Sequence, residues 1–342
     1  MLACAHAARR RIVTCLALTL LVTGRTVGAE GLILNDAGEA IAPSEQVEYD
    51  DATDNQSRWS GRIGAAILQR GRLKSDSFIY NANSGDTLLN SRGFDFPMRG
   101  GVDVGLMRRG EWADVDFRYF GIDQWSATQP DFTSGPGATL HFQNIAPSID
   151  PVTIGTTTYG SELHSAEINL RRNATQWLTL LAGFRYLSFR EDLHLGADIG
   201  GGIPPVSILM NTQNQLYGAQ IGADAILLEF TRFRIESAIK TGVYGNAAGN
   251  SVVESIDGIG NVIDASGSRA HTAFVGDLNF TGVYQLNRAW SVRAGYQLLW
   301  LSGVALVADQ PPGIDFNSGT DVVDTSGSAF FHGVLVGLER NW

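Results

Sequence analysis

Cysteine is almost absent from this chain of 342 residues: it has only Cys4 and Cys15. Both fall in a predicted signal peptide over residues 1–29, where three arginines at 9–11 precede an apolar stretch at 12–22. An uncleaved anchor is the alternative, but the stretch is short for a membrane span. After cleavage no cysteine would remain, which excludes disulfides, thiolate metal sites and cysteine nucleophiles.

Long apolar runs and excess positive charge are also missing. After residue 29 no stretch is long and apolar enough for a transmembrane helix. The formal net charge is −10, with 25 basic and 35 acidic residues; removing 1–29 takes away four arginines, leaving 21 against 35, or −14. That balance argues against a nucleic-acid partner.

Common chemical motifs are missing as well. The chain has no His-x-x-x-His pair, no cluster with metal-ligand spacing and no Gly-x-Ser-x-Gly elbow. We therefore expect no cofactor, no metal ion and no enzymatic activity.

What the chain does have is repeated alternation of apolar and polar residues. Ten stretches show it: 59–70, 101–108, 111–121, 161–172, 176–190, 214–225, 230–244, 272–284, 289–301 and 328–342. The gaps alternate between tight ones, at 109–110, 173–175, 226–229 and 285–288, and long ones, at 71–100, 122–160, 191–212, 245–271 and 302–327.

This pattern predicts an all-β fold, an up-and-down antiparallel transmembrane β-barrel of about ten strands over residues 59–342. Its tight turns would face the periplasm and its long loops the exterior. A further hairpin using residues 138–143 would make twelve strands. A soluble β-sandwich also alternates, but aromatics near the strand ends and the strand lengths favour a bilayer.

Residues 30–58 are acidic and lack a period, which predicts a flexible periplasmic segment before the barrel. A plug inserted into the barrel is the alternative.

Three strand sequences carry a family resemblance. They are Gly183-Phe184-Arg185-Tyr186-Leu187 followed by Glu191, the stretch Asn-Gln-Leu-Tyr-Gly-Ala-Gln-Ile-Gly at 214–222, and Gly-Tyr-Gln-Leu-Leu-Trp-Leu at 295–301. In this order they resemble a family of outer-membrane β-barrel proteins found in many copies in planctomycete bacteria. The resemblance implies a barrel in the outer membrane and no assigned reaction, and it transfers no functional residues.

The alternation places charges of both signs on the inward face of the barrel. The predicted lumen charge network comprises Asp114, Asp116, Arg118, Glu167, Arg171, Arg185, Asp224, Arg232, Arg234, Glu236, Lys240, Asp277, Arg293 and Glu339. Ten strands lie near the size at which side chains fill a barrel, whereas open pores need about sixteen. An internal ion-pair network is therefore favoured over a narrow polar conduit.

The last strand has a second predicted role. Val334, Val336, Leu338 and the terminal Trp342 resemble the signal by which barrel-assembly machinery recognises outer-membrane substrates. Arg340 interrupts this apolar face, which indicates an interfacial depth where its side chain can reach water.

The leading hypothesis is a non-enzymatic outer-membrane barrel with a charge-filled lumen and a structural or surface-displaying role. The expected partners are outer-membrane lipid and, during biogenesis, the barrel-assembly machinery; the oligomeric state stays open. One alternative is a small porin for polar solutes. Another is a barrel enzyme acting at the outer rim, for which His164 and His332 are the obvious candidates.

Overall fold

The computed structural model describes residues 58–74, 77–81, 86–133, 140–142, 153–198, 204–310, 314–315 and 320–342. The predicted signal peptide, and the acidic segment except for Arg58, lie outside the described residues. Ten long strands form the barrel: β1 (Trp59–Arg70), β2 (Arg99–Arg108), β3 (Asp114–Gln129), β4 (Thr157–Asn173), β5 (Leu178–Asp198), β6 (Val206–Glu229), β7 (Phe233–Ile256), β8 (Gly260–Gln285), β9 (Trp290–Val304) and β10 (Gly327–Asn341). None of the helices in this part of the chain is long and apolar enough to cross a bilayer.

Each strand pairs antiparallel with its neighbour in the chain. β10 also pairs antiparallel with β1, and the paired residues run from Ser60 opposite Asn341 to Arg70 opposite Phe331. This pairing closes the sheet into a barrel. Closure satisfies the backbone groups that a bilayer cannot. The predicted ten-stranded up-and-down barrel is confirmed.

Four tight connections lie at one end of the barrel, which we call the tight-turn end: 109–113, 174–177, 230–232 and 286–289. The predicted turn at 226–229 is wrong, because these residues belong to β6 and the chain turns three residues later. A bulge between Ile226 and Leu228 explains the error. The bulge interrupts the period-two alternation within β6. The sequence pattern therefore predicts that the strand ends there, although backbone pairing continues to Glu229.

The strands are longer at the opposite end than the sequence indicates. The predicted loops at 191–212 and 245–271 are wrong, since β5 and β6 are joined by 199–205 and β7 and β8 by 257–259. The outward positions there are small, such as Gly245 and Ala247, while the inward Tyr244 and Asn246 are buried. Apolar alternation fades because these parts of the strands stand above lipid, yet backbone pairing continues.

The outward face carries a band of apolar side chains between two aromatic belts. Ile63 and Ile221 are each 65% exposed, far more than a water-soluble surface would tolerate in a continuous band. On β9 the belts are marked by Trp290 and Trp300, ten residues apart, which matches the nine to eleven residues of a tilted strand crossing a bilayer. The barrel is an outer-membrane β-barrel by these criteria.

Beyond the second belt the pattern reverses, and apolar side chains point inward. We call this part the outer half. Its core includes Phe94, Phe96, Trp125, Tyr159, Leu187, Phe189, Leu301, Val307 and Phe331. The ring centroids of Trp125 and Phe331 lie 5.3 Å apart, as do those of Phe94 and Tyr159. The long connections therefore fold inward and pack against the barrel wall.

The connection between β1 and β2 forms a small separate sheet. Its strands are Ser77–Asn81, Thr87–Asn90 and Leu140–Phe142, the last of which comes from the connection between β3 and β4. Leu140–Phe142 falls where the sequence allowed an extra barrel hairpin. It pairs outside the barrel sheet, so the twelve-strand alternative is not realised.

Candidate functional site

A layer of buried charges crosses the lumen below the outer half. We call it the charged layer, and it consists of Asp103, Arg118, Glu167, Arg185, Lys240 and Asp277. Alternation places each of them on the inward face of its strand. Their side chains are at most 8% exposed.

The charged layer links strands that are far apart in sequence. Arg185 Nη1 of β5 lies 3.1 Å from Asp277 Oδ2 of β8. Lys240 Nζ of β7 lies 2.5 Å from Glu167 Oε1 of β4 and 4.0 Å from Asp277 Oδ2. A charge buried in the barrel lumen is costly unless it is paired. Because these contacts join side chains of β4, β5, β7 and β8, they form a connected network across the lumen.

Arg118 and Asp103 form the second part of the layer. Arg118 donates from Nε and Nη2 to the two carboxylate oxygens of Asp103, at 3.1 and 3.0 Å, and from Nη2 to Gln297 Oε1 at 3.3 Å. This forked geometry gives a stronger and more directional contact than a single hydrogen bond.

Amide side chains that were not predicted as site residues complete the network. Gln220 Nε2 donates to Glu167 Oε2 and to Asn169 Oδ1, both at 2.7 Å. Gln297 Nε2 lies 3.1 Å from each carboxylate oxygen of Asp277, and Asn279 Nδ2 donates to Asp277 Oδ1 at 2.9 Å. The only sequence signal was their place at polar positions of alternating strands.

A second set of charges lies nearer the tight-turn end. Arg293 pairs with Glu236 at 2.8 Å and with Glu339 at 2.6 Å, and Arg234 pairs with Glu236 at 2.5 Å. Arg171 pairs with Asp224. These groups line a cavity of about 370 Å³ that extends to Arg109, Gln176 and Trp177 at the tight-turn end.

Three of the fourteen residues predicted for the lumen network are in none of these ion pairs. Arg232 lies in the exposed turn before β7, because β7 begins one residue later. Asp114 accepts a hydrogen bond from Gly110 N at 3.2 Å in the turn before β3. Asp116 lines the cavity, with Asn169 Nδ2 3.4 Å from its Oδ2.

In the outer half a short segment of the connection between β9 and β10 lies inside the barrel. We call residues 305–310 the inserted loop; it contains a 3₁₀ turn at Val307–Asp309. Asn214 of β6 donates from Nδ2 to Ala305 O at 2.8 Å and accepts from Ala305 N at 2.7 Å. Asn246 of β7 donates to Asn214 Oδ1 at 2.9 Å and to Gly303 O at 3.0 Å.

Glu191 of β5 holds the same loop from the other side. Its carboxylate forms an ion pair with Arg70 at the end of β1 and accepts from Tyr159 Oη at 2.7 Å and Val307 N at 3.1 Å. The Arg70 guanidinium also lies 4.7 Å from the Phe96 ring centroid. Burial raises the pKa of the Glu191 carboxyl and raises the pKa of the Tyr159 phenol well above its usual range, so Tyr159 remains a donor.

The two histidines considered for catalysis pair with tyrosines on the outward surface. His164 Nδ1 lies 3.0 Å from Tyr119 Oη, and its Nε2 lies 3.1 Å from Asp123 Oδ1. His332 Nδ1 lies 2.7 Å from Tyr296 Oη. Among the described residues, no group of three or more His, Cys, Asp or Glu side chains is arranged to hold a metal ion.

The last strand presents its predicted assembly residues outward. Val336, Leu338 and Trp342 are 42%, 44% and 52% exposed, and Val334 is partly exposed. Arg340 lies on the same face with its guanidinium 5.4 Å from the Trp290 ring centroid. The charge is thus at the aromatic belt, where an arginine can reach the interface.

A family model described as "Putative beta barrel porin-7 (BBP7)" matches residues 152–329, which is 178 of the 342 residues. No curated protein matches the chain.

Among solved structures, the outer membrane protease OmpT from Escherichia coli is 11% identical, with 84% of this chain and 98% of that chain covered and a TM-score of 0.45. The toluene transporter TbuX from Ralstonia pickettii is 10% identical, with 84% and 90% covered and a TM-score of 0.33. An anion-selective porin from Comamonas acidovorans is 9% identical, with 83% of this chain and 98% of that chain covered and a TM-score of 0.16.

Proposed function

This chain belongs to the putative beta barrel porin-7 (BBP7) family, and we propose that it is a non-conducting, non-enzymatic outer-membrane barrel with a structural, surface-displaying role. The observation that carries this proposal is the double closure of the lumen. The charged layer crosses the lumen in the membrane-spanning part, and the apolar core with the inserted loop fills the outer half.

The two closures act by different physical means. Ions passing the charged layer would have to displace contacts such as Arg185–Asp277, which are buried and hydrogen-bonded. Ions passing the outer half would have to cross a dry apolar core, where desolvating a charge costs far more than thermal energy. Breaking one closure alone leaves the other in place.

The surface role is supported by the strands that rise beyond the membrane. β5 to β8 run for 21 to 26 residues, about twice the length that a bilayer requires. Their paired hairpins expose acidic residues such as Asp257 and Asp264, so the barrel presents acidic groups on a rigid support outside the lipid. In this proposal the apolar band contacts outer-membrane lipid, and the predicted signal peptide over residues 1–29 directs export.

The non-enzymatic assignment is supported by the surroundings of the rim histidines. The partners of His164 are a tyrosine and an aspartate, and the partner of His332 is a tyrosine. In the part of the chain with described contacts, neither histidine lies within hydrogen-bonding distance of a serine that could act as nucleophile.

Planar-bilayer recording of the purified barrel tests the proposal. We expect no conductance steps above those of the lipid alone, in protein whose gel mobility differs between unheated and boiled samples. The mobility shift shows that the closed barrel is folded. Reproducible steps from folded protein would contradict the closed lumen and favour the second candidate, a small porin, which the polar cavity at the tight-turn end supports.

We further propose that the outward face of β10 is recognised by the barrel-assembly machinery. Replacing Leu338 with serine is expected to lower the heat-modifiable fraction in outer membranes severalfold, because it removes an apolar residue from the proposed signal. Val292→Ser is the matched control, since Val292 lies directly opposite Leu338 on β9 and has similar exposure. Equal losses from both variants would contradict a role specific to β10.

A further inference from the structure

The cavity at the tight-turn end has the size and lining of a small-molecule site. Its volume of about 370 Å³ falls within the usual range for ligand pockets. The charged layer bounds it, with Asp103, Arg118, Glu167 and Lys240 in its lining. In outer-membrane barrels the tight turns face the periplasm, so a periplasmic solute would enter here.

Most of the charges that line this cavity neutralise one another. Arg171 pairs with Asp224, and Arg293 pairs with Glu236 and Glu339. Two lining groups of opposite sign are less well matched, the guanidinium of Arg62 and the carboxylate of Asp116.

Arg62 has donors without acceptors. Its Nη2 lies 3.7 Å from Asp103 Oδ1, too far for a hydrogen bond, while Arg118 already occupies both oxygens of that carboxylate. The Nε of Arg62 is buried and has no hydrogen-bond partner. The side chain is still 28% exposed and lines the cavity, so an incoming acceptor can reach the guanidinium.

Asp116 has the opposite deficit. Its one described hydrogen bond is the 3.4 Å contact from Asn169 Nδ2. Among the described lysines and arginines, none forms an ion pair with it within 4.0 Å. The carboxylate is half-buried and lines the same cavity.

The barrel wall places these two groups on neighbouring parts of one surface. Arg62 of β1 is opposite Gly105 of β2, and Asp116 of β3 is opposite Met107, two residues further along β2. A Cβ atom on Gly105 would lie 3.2 Å from Arg62 Nη2. The glycine therefore leaves room for the Arg62 side chain to lie across β2 toward β3.

We propose that this cavity binds a small zwitterionic solute of the amino-acid class, with its carboxylate on Arg62 and its ammonium group on Asp116. A carboxylate fits the forked donors of a guanidinium, and an ammonium group supplies the cation that Asp116 lacks. A simple anion would leave Asp116 without a cation, and a simple cation would leave the Arg62 donors without a hydrogen-bond acceptor, so only a ligand with both charges satisfies both.

Isothermal titration calorimetry of the folded full chain in detergent micelles tests this site, with alanine, acetate and ethylammonium as probes. Alanine is expected to bind saturably, and acetate and ethylammonium at least tenfold more weakly. Arg62→Gln and Asp116→Asn are each expected to lower the affinity for alanine at least tenfold, because each removes one charged contact.

Two matched substitutions control for general effects of charge. Arg108→Gln changes an arginine on the outward surface, where its guanidinium lies over the Trp59 ring, and Asp114→Asn changes an acid two residues before Asp116 that does not line the cavity. Both should leave alanine binding within twofold. Absence of alanine binding to heat-modifiable protein, equal binding of acetate, or equal losses in the controls would overturn the proposal. The site needs only the cavity, so a conducting barrel would not by itself remove it.

Discussion

Replacing Glu191 with leucine is expected to lower the free energy of unfolding by about 3–5 kcal/mol and to release the inserted loop. The carboxylate is the shared partner of Arg70, Tyr159 and Val307 N, which belong to β1, β4 and the inserted loop. Leucine is close in size to glutamate but accepts no hydrogen bond. Arg70, whose side chain is 1% exposed, would be left as a buried cation without its counterion.

The consequence for the lumen follows from the position of the loop. Val307 and Ala308 are buried in the outer half, and Glu191 is the side chain that receives the Val307 backbone N–H. Loss of this contact removes one attachment of the loop, while the Asn214–Ala305 pair and the hydrogen bond from Asn250 Nδ2 to Gln310 Oε1 remain. The outer closure should loosen while the charged layer remains, so conductance should stay low.

Urea titration of heat-modifiable mobility measures the stability change, and limited proteolysis measures release of the loop. Glu162→Leu is the matched control, because Glu162 lies one strand away on the outer part of β4, is only half-buried and is in no described ion pair. That variant should change stability by less than about 1 kcal/mol. Similar stability of the Glu191 variant and the native chain would contradict the role assigned to this cluster.

The strands of the barrel could be predicted from the sequence, but not all of their bounds. Period-two alternation identified all ten strands, because lipid and lumen impose opposite polarity on the two faces of a strand. It located both ends of β10 and the start of β9 to within one residue. It failed on the outer parts of β5 to β8, where water lies outside and a protein core inside, so neither face follows the membrane rule.

The partners of individual residues were beyond the pattern. Alternation assigns Lys240 and Glu167 to the lumen, but their contact also depends on barrel closure and strand stagger. Asn214 is a sharper case, because its amide pairs with the backbone of Ala305, 91 residues later. A buried asparagine that holds a loop has the same sequence appearance as one facing water.

The stability effect of substitutions in the charged layer distinguishes a structural ion-pair network from a water-filled conduit. Asp277 is fully buried and accepts hydrogen bonds from Arg185, Asn279 and Gln297. Asp277→Leu alone is expected to cost about 3–5 kcal/mol of stability, because it leaves Arg185 buried without a counterion. The double variant Arg185→Leu with Asp277→Leu should recover most of that loss, since replacing both members of a buried pair by apolar residues is often neutral.

A double-mutant cycle in urea, read by heat-modifiable mobility, measures this coupling. Arg234→Leu provides the control, because Arg234 is 38% exposed and its loss leaves Glu236 paired with Arg293. It should cost less than about 1 kcal/mol. If the single Asp277 variant matched that control, the pair would be too well hydrated to hold the wall together, and a water-filled conduit would explain the charges better. A large coupling energy instead means that both charges are shielded from water and that each depends on the other. In a dry interior, the attraction between the two charges offsets the cost of desolvation only while both partners are present, so the pair acts as part of the wall.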